Sequence, residues 1–410
     1  TILPKRRKRF GLSLRVLMVL VLLLGGGMGW YAYRARVQRE AVAAIEAAGG
    51  KVYYDWEWNG DRAAPPTAKP KWPKWLMDRV GPDYLGNVVA VFFDATVSEK
   101  LDDEALRPVS RLTFLENFGL SGFPFTPNGR LNRFRKVTDA GMAHLRNLSR
   151  LKYLLLQGTE ITGPAVANLE GMRDLRYLNL NQIPLGDQDA RYLRSMTRLE
   201  SLFINGEHIT DSGMESLAGL TSLKVLSLDC PEVTTAGLQS LRGMSRLEQL
   251  EIRRSSISSL EPLGCLSALR WLRINVGIEM QRMQRKRERK EKLEIDASGI
   301  VCLKNLQDLS LAHCNIVGKD LTFLAQLSEL TTLDLRETNI DDRGLGGVAS
   351  LPKLTKLSLG FTNVSDKALP QLYELKKCEL IDLQRTEVTA EGVRALKQRL
   401  PSVRVAVTFH

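Results

Sequence analysis

An apolar ladder of the form L-x-x-L-x-L returns along this chain at a nearly constant interval, and no other feature limits the fold so tightly. Its first position falls at Val88, Leu112, Leu151, Leu175, Leu199, Leu223, Leu247, Leu269, Leu306, Leu330, Leu354 and Cys378, spaced 24, 39, 24, 24, 24, 24, 22, 37, 24, 24 and 24 residues apart. A length of 410 residues would by itself suggest two or three domains. A fixed period describes instead a unit that cannot bury its apolar face alone and must stack on its neighbours. Alternating apolar residues make a short strand in each unit, and stacking sets these strands about 4.8 Å apart in one curved parallel sheet. The expected class is therefore α/β, a right-handed solenoid with parallel strands on its concave face and short helices on its convex face.

The rest of the period has local reasons. Thr159, Thr338, Thr362 and Thr386, with Ser255 and Cys314, lie three residues past the strand, where a small polar side chain can pair backbone groups exposed by the turn. Thr162, Thr210, Thr234, Ser258, Asp341, Ser365 and Thr389 follow three residues later and suit the N-cap of the helical half. Leu238, Leu241, Met244 and Leu247 then show the inward-facing helical spacing. The segment from Val403 to Phe409 reads as a closing strand.

On these residues, as in Leu330-Thr-Thr-Leu333-Asp-Leu335-Arg-Glu-Thr338-Asn-Ile340-Asp-Asp-Arg-Gly-Leu345, the chain resembles the leucine-rich-repeat superfamily over residues 88–400. The nearest style is the ribonuclease-inhibitor-like and cysteine-containing class, especially bacterial membrane-anchored members with an L-x-L-x-x-T-x-[IV]-T-D-x-G-L repeat. The resemblance implies a leucine-rich-repeat solenoid. It names no function, because the superfamily hosts many unrelated partners.

Ahead of the repeats, an uncharged run covers residues 16–33 and extends to Leu12 if Arg15 snorkels to the headgroups. Those positions span roughly 33 Å as a helix, enough to cross the hydrocarbon layer. Trp30, Tyr31 and Tyr33 sit at its end beside Arg34 and Arg36, as in an interfacial aromatic belt. The reading is a single transmembrane helix; the alternative is a cleaved signal peptide with Gly27-Met28-Gly29 as its junction. The excess of Lys/Arg before the run favours an N-terminus inside and the repeats on the outer, periplasmic or extracellular side.

The organisation expected is a basic tail (1–11), the transmembrane helix (12–33), a juxtamembrane helix and Trp/Pro-rich cap (34–87), repeats (88–400) and a closing strand (401–410). Within the cap, Val52, Tyr54, Trp56 and Trp58 alternate as in a strand. Trp56, Trp58, Trp72 and Trp75 read as a seal over the first repeat, with a carbohydrate or peptide platform as the alternative. The period breaks twice, near 118–136 and 277–296, both just past a strand and so on one rim. Loops added to one rim are where repeat proteins commonly place binding function.

The net charge of +12 looks like a nucleic-acid signal until it is located. Lys5, Arg6, Arg7, Lys8, Arg9, Arg15, Arg34, Arg36 and Arg39 precede the first acid, Glu40, and a second basic group fills 282–292. No broad basic surface remains to follow phosphates, so nucleic acid is not an expected partner. The basic insertion reads as a solvated helix, or else as a contact for acidic protein or anionic lipid. His144, His208, His313 and His410 are isolated, and no catalytic or phosphate-binding motif appears, so no cofactor, metal or catalysis is expected. The five cysteines lack CxxC spacing and read as small buried hydrophobes.

What remains is the strand face turned to solvent. Phe92, Phe114, Tyr153, Leu155, Tyr177 and Phe203 interleave with the core positions, with Asn179 and Asn205 beside them; farther along come Asp229, Glu251, Trp271 and Arg273. An aromatic column bordered by amides and charges suits a protein or peptide partner. The expected ligand-binding residues are Phe92, Phe114, Tyr153, Tyr177, Asn179, Phe203, Asn205, Trp271 and Arg273. The alternatives are a cytosol-facing adaptor that presents a partner to an enzyme, and an enzyme with its site in the tryptophan-rich segment. A further possibility is that the phenylalanines of 118–136 fold over the column.

Overall fold

The computed structural model describes residues 14–58, 71–94, 97, 100–121, 134–275, 294–319 and 321–408. The basic tail, residues 59–70, the interiors of both insertions and His410 lie outside the described residues, and with them the expectations placed there.

The strands are β1 (Lys51–Tyr54), β2 (Val88–Asp94), β3 (Asn117–Ser121), β4 (Tyr153–Leu155), β5 (Tyr177–Leu180), β6 (Ser201–Asn205), β7 (Val225–Asp229) and β8 (Gln249–Arg253). They continue as β9 (Trp271–Asn275), β10 (Glu294–Ile295), β11 (Asp308–Ser310), β12 (Asn315–Ile316), β13 (Thr332–Asp334), β14 (Lys356–Ser358), β15 (Leu380–Asp382) and β16 (Arg404–Ala406). All but β10 and β12 form a single 14-stranded sheet in chain order; β10 and β12 pair with each other. From β2 onward each strand lies parallel to its neighbour, and the repeat period sets the register: Leu154 faces Leu178, then Leu202, Leu226, Leu250 and Leu272. All are essentially inaccessible to solvent, so the core is a row of stacked leucines running the length of the solenoid.

One unit departs from the expected alignment. Asn117 of β3 faces Tyr153, which makes Leu115, and not Leu112, the first apolar position of the second unit. The sequence permits both, because Leu112, Leu115 and Phe118 recur at intervals of three and all three are buried. The strand belongs to the alternative that lets Phe118 stack between Val91 and Leu154.

The convex side is built from single turns, many of them 3₁₀, such as Gly163–Leu169, Gly237–Leu241 and Glu261–Cys265; only at the end does a ten-residue α-helix, Ala390–Arg399, develop. A 24-residue unit that has already made a strand and two turns has little chain left, and one tight turn crosses that distance. The threonines after the strand do what their position predicts. Thr159, Thr338, Thr362 and Thr386 donate to the carbonyls of Leu156, Leu335, Leu359 and Leu383.

The threonines and serine before the helical turn act in two directions. Thr210, Ser365 and Thr389 accept from amides of the following turn, as caps, while their own hydroxyls donate to Asp187, Asp342 and Asp366 of the preceding repeat. The same carboxylates accept from the backbone amides of Thr210, Ser365 and Thr389. Asp103 with Thr138, Asp139 with Thr162 and Asp211 with Thr234 repeat the arrangement. Thr162 departs from expectation: it makes the bond to Asp139 but caps nothing with its side chain. The glycine three residues after the threonine serves this ladder. A Cβ on Gly141, Gly213, Gly237 or Gly392 would come within 2.4 Å of the carboxylate from the repeat before.

At the amino-terminal end, α1 (Leu14–Ala47) runs unbroken until Gly49, whose φ of +85° turns the chain out of the helix. Residues 16–33 are exposed, and Ala35, Gln38, Ala41, Val42 and Ile45 are buried against the cap. β1 pairs antiparallel to β2 and so closes that edge of the sheet. It ends at Tyr54, short of the alternation through Trp58 read from the sequence. Two further helices, α2 (Lys74–Val80) and α3 (Pro82–Leu85), complete the cap. Asp83 joins the parts: its buried carboxylate accepts from Gln38 at 3.1 Å and from the Tyr54 hydroxyl at 2.9 Å, with Arg39 at 3.6 Å. Burial beside that carboxylate pushes the Tyr54 phenol far above its ordinary range.

Candidate functional site

On the solvent side of the sheet the strands present two parallel columns. One runs Asn117, Tyr153, Tyr177, Ser201, Val225, Gln249, Trp271; the other runs Phe92, Gly119, Leu155, Asn179, Phe203, Ser227, Glu251, Arg273. Tyr153 and Tyr177 are neighbours in the first column, with their rings stacked at 4.2 Å and 12°. Phe92 belongs to the second column but leans into the first. Gly119 opposite it has no side chain, and a Cβ there would lie 2.6 Å from the Phe92 ring. Phe92 thereby reaches Tyr153 edge-on at 6.2 Å, and Phe203 meets Tyr177 diagonally at 5.4 Å. All four rings are half-buried and none is in the leucine core.

Two rings that the sequence reading left out extend the column. Tyr53 lies 6.3 Å and Trp58 5.2 Å from Phe92, and they contact each other at 5.4 Å. Strand alternation placed Trp58 on the face opposite Tyr53. The turn at 55–57 breaks that parity and returns Trp58 to the same side. The signal lay in Asp55 and Glu57, polar residues that a continuous strand would not need there.

Three expected residues are placed differently. Phe114 is not on the strand face at all: it sits in the turn before β3, held between the guanidiniums of Arg34 at 4.4 Å and Arg150 at 4.3 Å. This follows from the three-residue shift of the second unit. Asn179 is only 7% exposed, and its side-chain oxygen accepts from the Asn181 amide, so it braces the turn instead of facing solvent. Asn205 is half-buried and accepts from Arg254, which also binds the buried carboxylate of Asp229.

Past the column the face turns ionic. Arg273 stacks on Trp271 at 4.8 Å and faces Glu251 at 3.7 Å. Burial raises the carboxyl of Asp308, against the opposing charge of Arg273. Burial pushes Asp334 the same way, but hydrogen bonds from Arg336 outweigh it and hold that carboxyl below its usual range. Among the described residues, no three of His, Cys, Asp and Glu come together as a metal-binding group. Burial pushes the Cys230 thiol up to about 12 and the Cys378 thiol up to about 11, so neither is a nucleophile at neutral pH. Cys314 is buried as well, whereas Cys265 and Cys302 are exposed, against the expectation for those two.

A stacked parallel sheet with short convex turns and a ladder of aspartates bonded to the Thr or Ser of the next repeat defines a leucine-rich-repeat solenoid. A family profile described as Leucine Rich repeat matches residues 327–349. No curated protein matches the sequence. Among solved structures, an internalin (InlF) of Listeria monocytogenes is similar at 21% identity, with a TM-score of 0.57 over 77% of this chain and 88% of that one. A leucine-rich-repeat protein of Leptospira interrogans is similar at 16% identity, with a TM-score of 0.50 over 73% of this chain and 74% of that one. The ectodomain of the Arabidopsis thaliana membrane receptor kinase GASSHO1/SCHENGEN3, solved in complex with Casparian strip integrity factor 2, is similar at 17% identity. Its TM-score is 0.50, over 80% of this chain and 39% of the receptor. The chain thus has the leucine-rich-repeat fold.

Proposed function

We propose that this chain is a non-catalytic recognition protein that binds a protein or peptide through the aromatic column of its concave face, while α1 anchors it in a membrane with the repeats outside. The observation that carries the reading is the column itself, Trp58, Phe92, Tyr153, Tyr177 and Phe203, in continuous ring contact on a face the core does not use. The fold would tolerate polar residues at each of these positions, as it does at Ser201, Ser227 and Gln249. Ring geometry favours a polypeptide over a sugar. Tyr153 and Tyr177 each give one face to the other, and Phe92 and Phe203 pack against them at either end, so the pair offers mainly edges, which suit aliphatic side chains and backbone, whereas a sugar needs an open face. Anchoring is supported by α1, a 34-residue helix whose exposed part is apolar and ends in Trp30, Tyr31 and Tyr33. The basic residues before it favour an internal N-terminus.

The test is affinity capture by the full chain from the envelope to which it localises, at low and high salt. Tyr177→Ala is expected to weaken capture by about 2 kcal/mol, as for a desolvated aromatic anchor, with the thermal midpoint unchanged. Capture by the wild type is expected to hold as salt rises, because no exposed charge drives it. Normal binding by Tyr177→Ala, with loss of capture when the basic residues of 282–292 become Ser, would overturn the reading.

A further inference from the structure

A second exposed apolar feature lies in the cap, at α2 and the residues just before it. α2 has no buried residue, and Trp75 is 67% and Trp72 45% exposed, the largest solvent-facing side chains of the described chain outside α1. Tryptophan presents both a large apolar area and an indole N–H, a combination suited to a boundary between oil and water.

Where α2 sits decides what it meets. The Tyr31 hydroxyl donates to the Tyr84 carbonyl, Trp72 Nε1 donates to the Leu85 carbonyl at 3.1 Å, and Arg39 donates to the Val80 carbonyl at 3.3 Å. These bonds tie α2 and α3 to α1 at the level where its apolar run gives way to arginine. Tyr84 reaches farther still. With Leu23, Gly27, Met28 and Tyr31 it lines an open apolar groove of about 470 Å³. Leu23 lies ten residues before Tyr33, or roughly 15 Å along a helix, inside the run that would cross the lipid. If residues 16–33 occupy the bilayer, the cap cannot stand clear of it. Charge agrees: Lys71, Lys74 and Arg79 are exposed in the same segment as the tryptophans, with Asp78 the one acid from 71 to 80.

We propose that Trp75 of α2 and Trp72 just before it insert into the headgroup layer of an anionic phospholipid bilayer beside Trp30, Tyr31 and Tyr33, so that lipid holds the solenoid at two places and fixes its tilt. This rests on the reading of α1 as a membrane helix. With Asp83 locking α1 to the cap, two lipid contacts leave the repeats little freedom to swing.

The experiment reconstitutes the full chain in vesicles of phosphatidylcholine and phosphatidylglycerol, with a fraction of the lipid brominated near the headgroup end of its acyl chains. Bromine quenches only tryptophan that touches it. The Trp72→Phe/Trp75→Phe double variant is expected to lose at least half of the quenchable emission while floating with the vesicles and keeping the wild-type thermal midpoint. Trp30 supplies the remainder. If the double variant floats but loses none of the quenchable emission, the cap does not touch lipid and the inference falls while the anchor stands. If the wild-type chain fails to float, both the anchor and the inference fall. A variant that floats with a lowered midpoint is replaced by single Trp75→Phe, for which quenchable emission equal to wild type also overturns the inference.

Discussion

At Gly237 the missing side chain is explained by a residue 26 positions earlier. Asp211 fills the space a Cβ would need and accepts from both the amide and the hydroxyl of Thr234. The sequence displayed every member of this set, since T-x-x-G recurs at Thr138, Thr210, Thr234 and Thr389, yet an aspartate at a helix start is adequately explained by the helix dipole alone. Its true partner lies in the next repeat, and only the stacked register brings the two together. Asp211→Ala should therefore lower stability by about 1 kcal/mol, the usual worth of an exposed charge-assisted pair of bonds, measured as a shift in urea midpoint. Asp211→Asn should lose less, because one acceptor oxygen remains. Equal losses for both would mean that charge, and not acceptance, holds the repeats together.

Strands were legible because their periodicity states which face is buried, and Leu226 shows how strictly. It is 1% exposed, between Leu202 and Leu250 in the stacked row. Leu226→Asp should cost well over roughly 3 kcal/mol, since a carboxylate there has no partner and no water. An unchanged thermal midpoint would show that the register is wrong. What the periodicity could not settle was where the pattern repeats on itself or stops. Leu112, Leu115 and Phe118 offered two alignments, and the wrong one put Phe114 among the rings of the strand face instead of between Arg34 and Arg150. Trp58 was assigned to the wrong face for the complementary reason, that a strand was continued through a turn. Tyr153, Tyr177, Phe92 and Phe203 were recoverable because they lie in the middle of unambiguous strands. Their mutual contacts were not, since these depend on Gly119 leaving room for Phe92 to lean.

Across the whole molecule, the carboxylate ladder is uneven. Among the described residues it joins neighbouring repeats from Asp103 to Thr234 and again from Asp342 to Thr389, with one interruption at Gly186, where Asp189 turns back to bond its own repeat. Between those blocks neutral groups take its place: Thr235 accepts from Ser258 and Ser259, backbone bonds link Asp296 with Ser258 and Leu260, and the Asn339 amide spans Ile316. In a solenoid each repeat is held only by its neighbours, so a weak interface is not rescued from afar. Native-state hydrogen exchange should show the strand amides of β9 and β11 opening at lower free energy than those of β6 and β7. Uniform protection along the sheet would show that the leucine row alone sets cooperativity.

The unevenness gives the solenoid a grain, like that of a beam laminated well at both ends and poorly in the middle. Bending or heat would be taken up near the joint between β9 and β11, leaving two stiff blocks that pivot about it. A partner gripping only the aromatic column would ride on one block and never sense the pivot. A partner long enough to lie across both blocks would have to still that motion, and its affinity would carry the entropic cost of doing so.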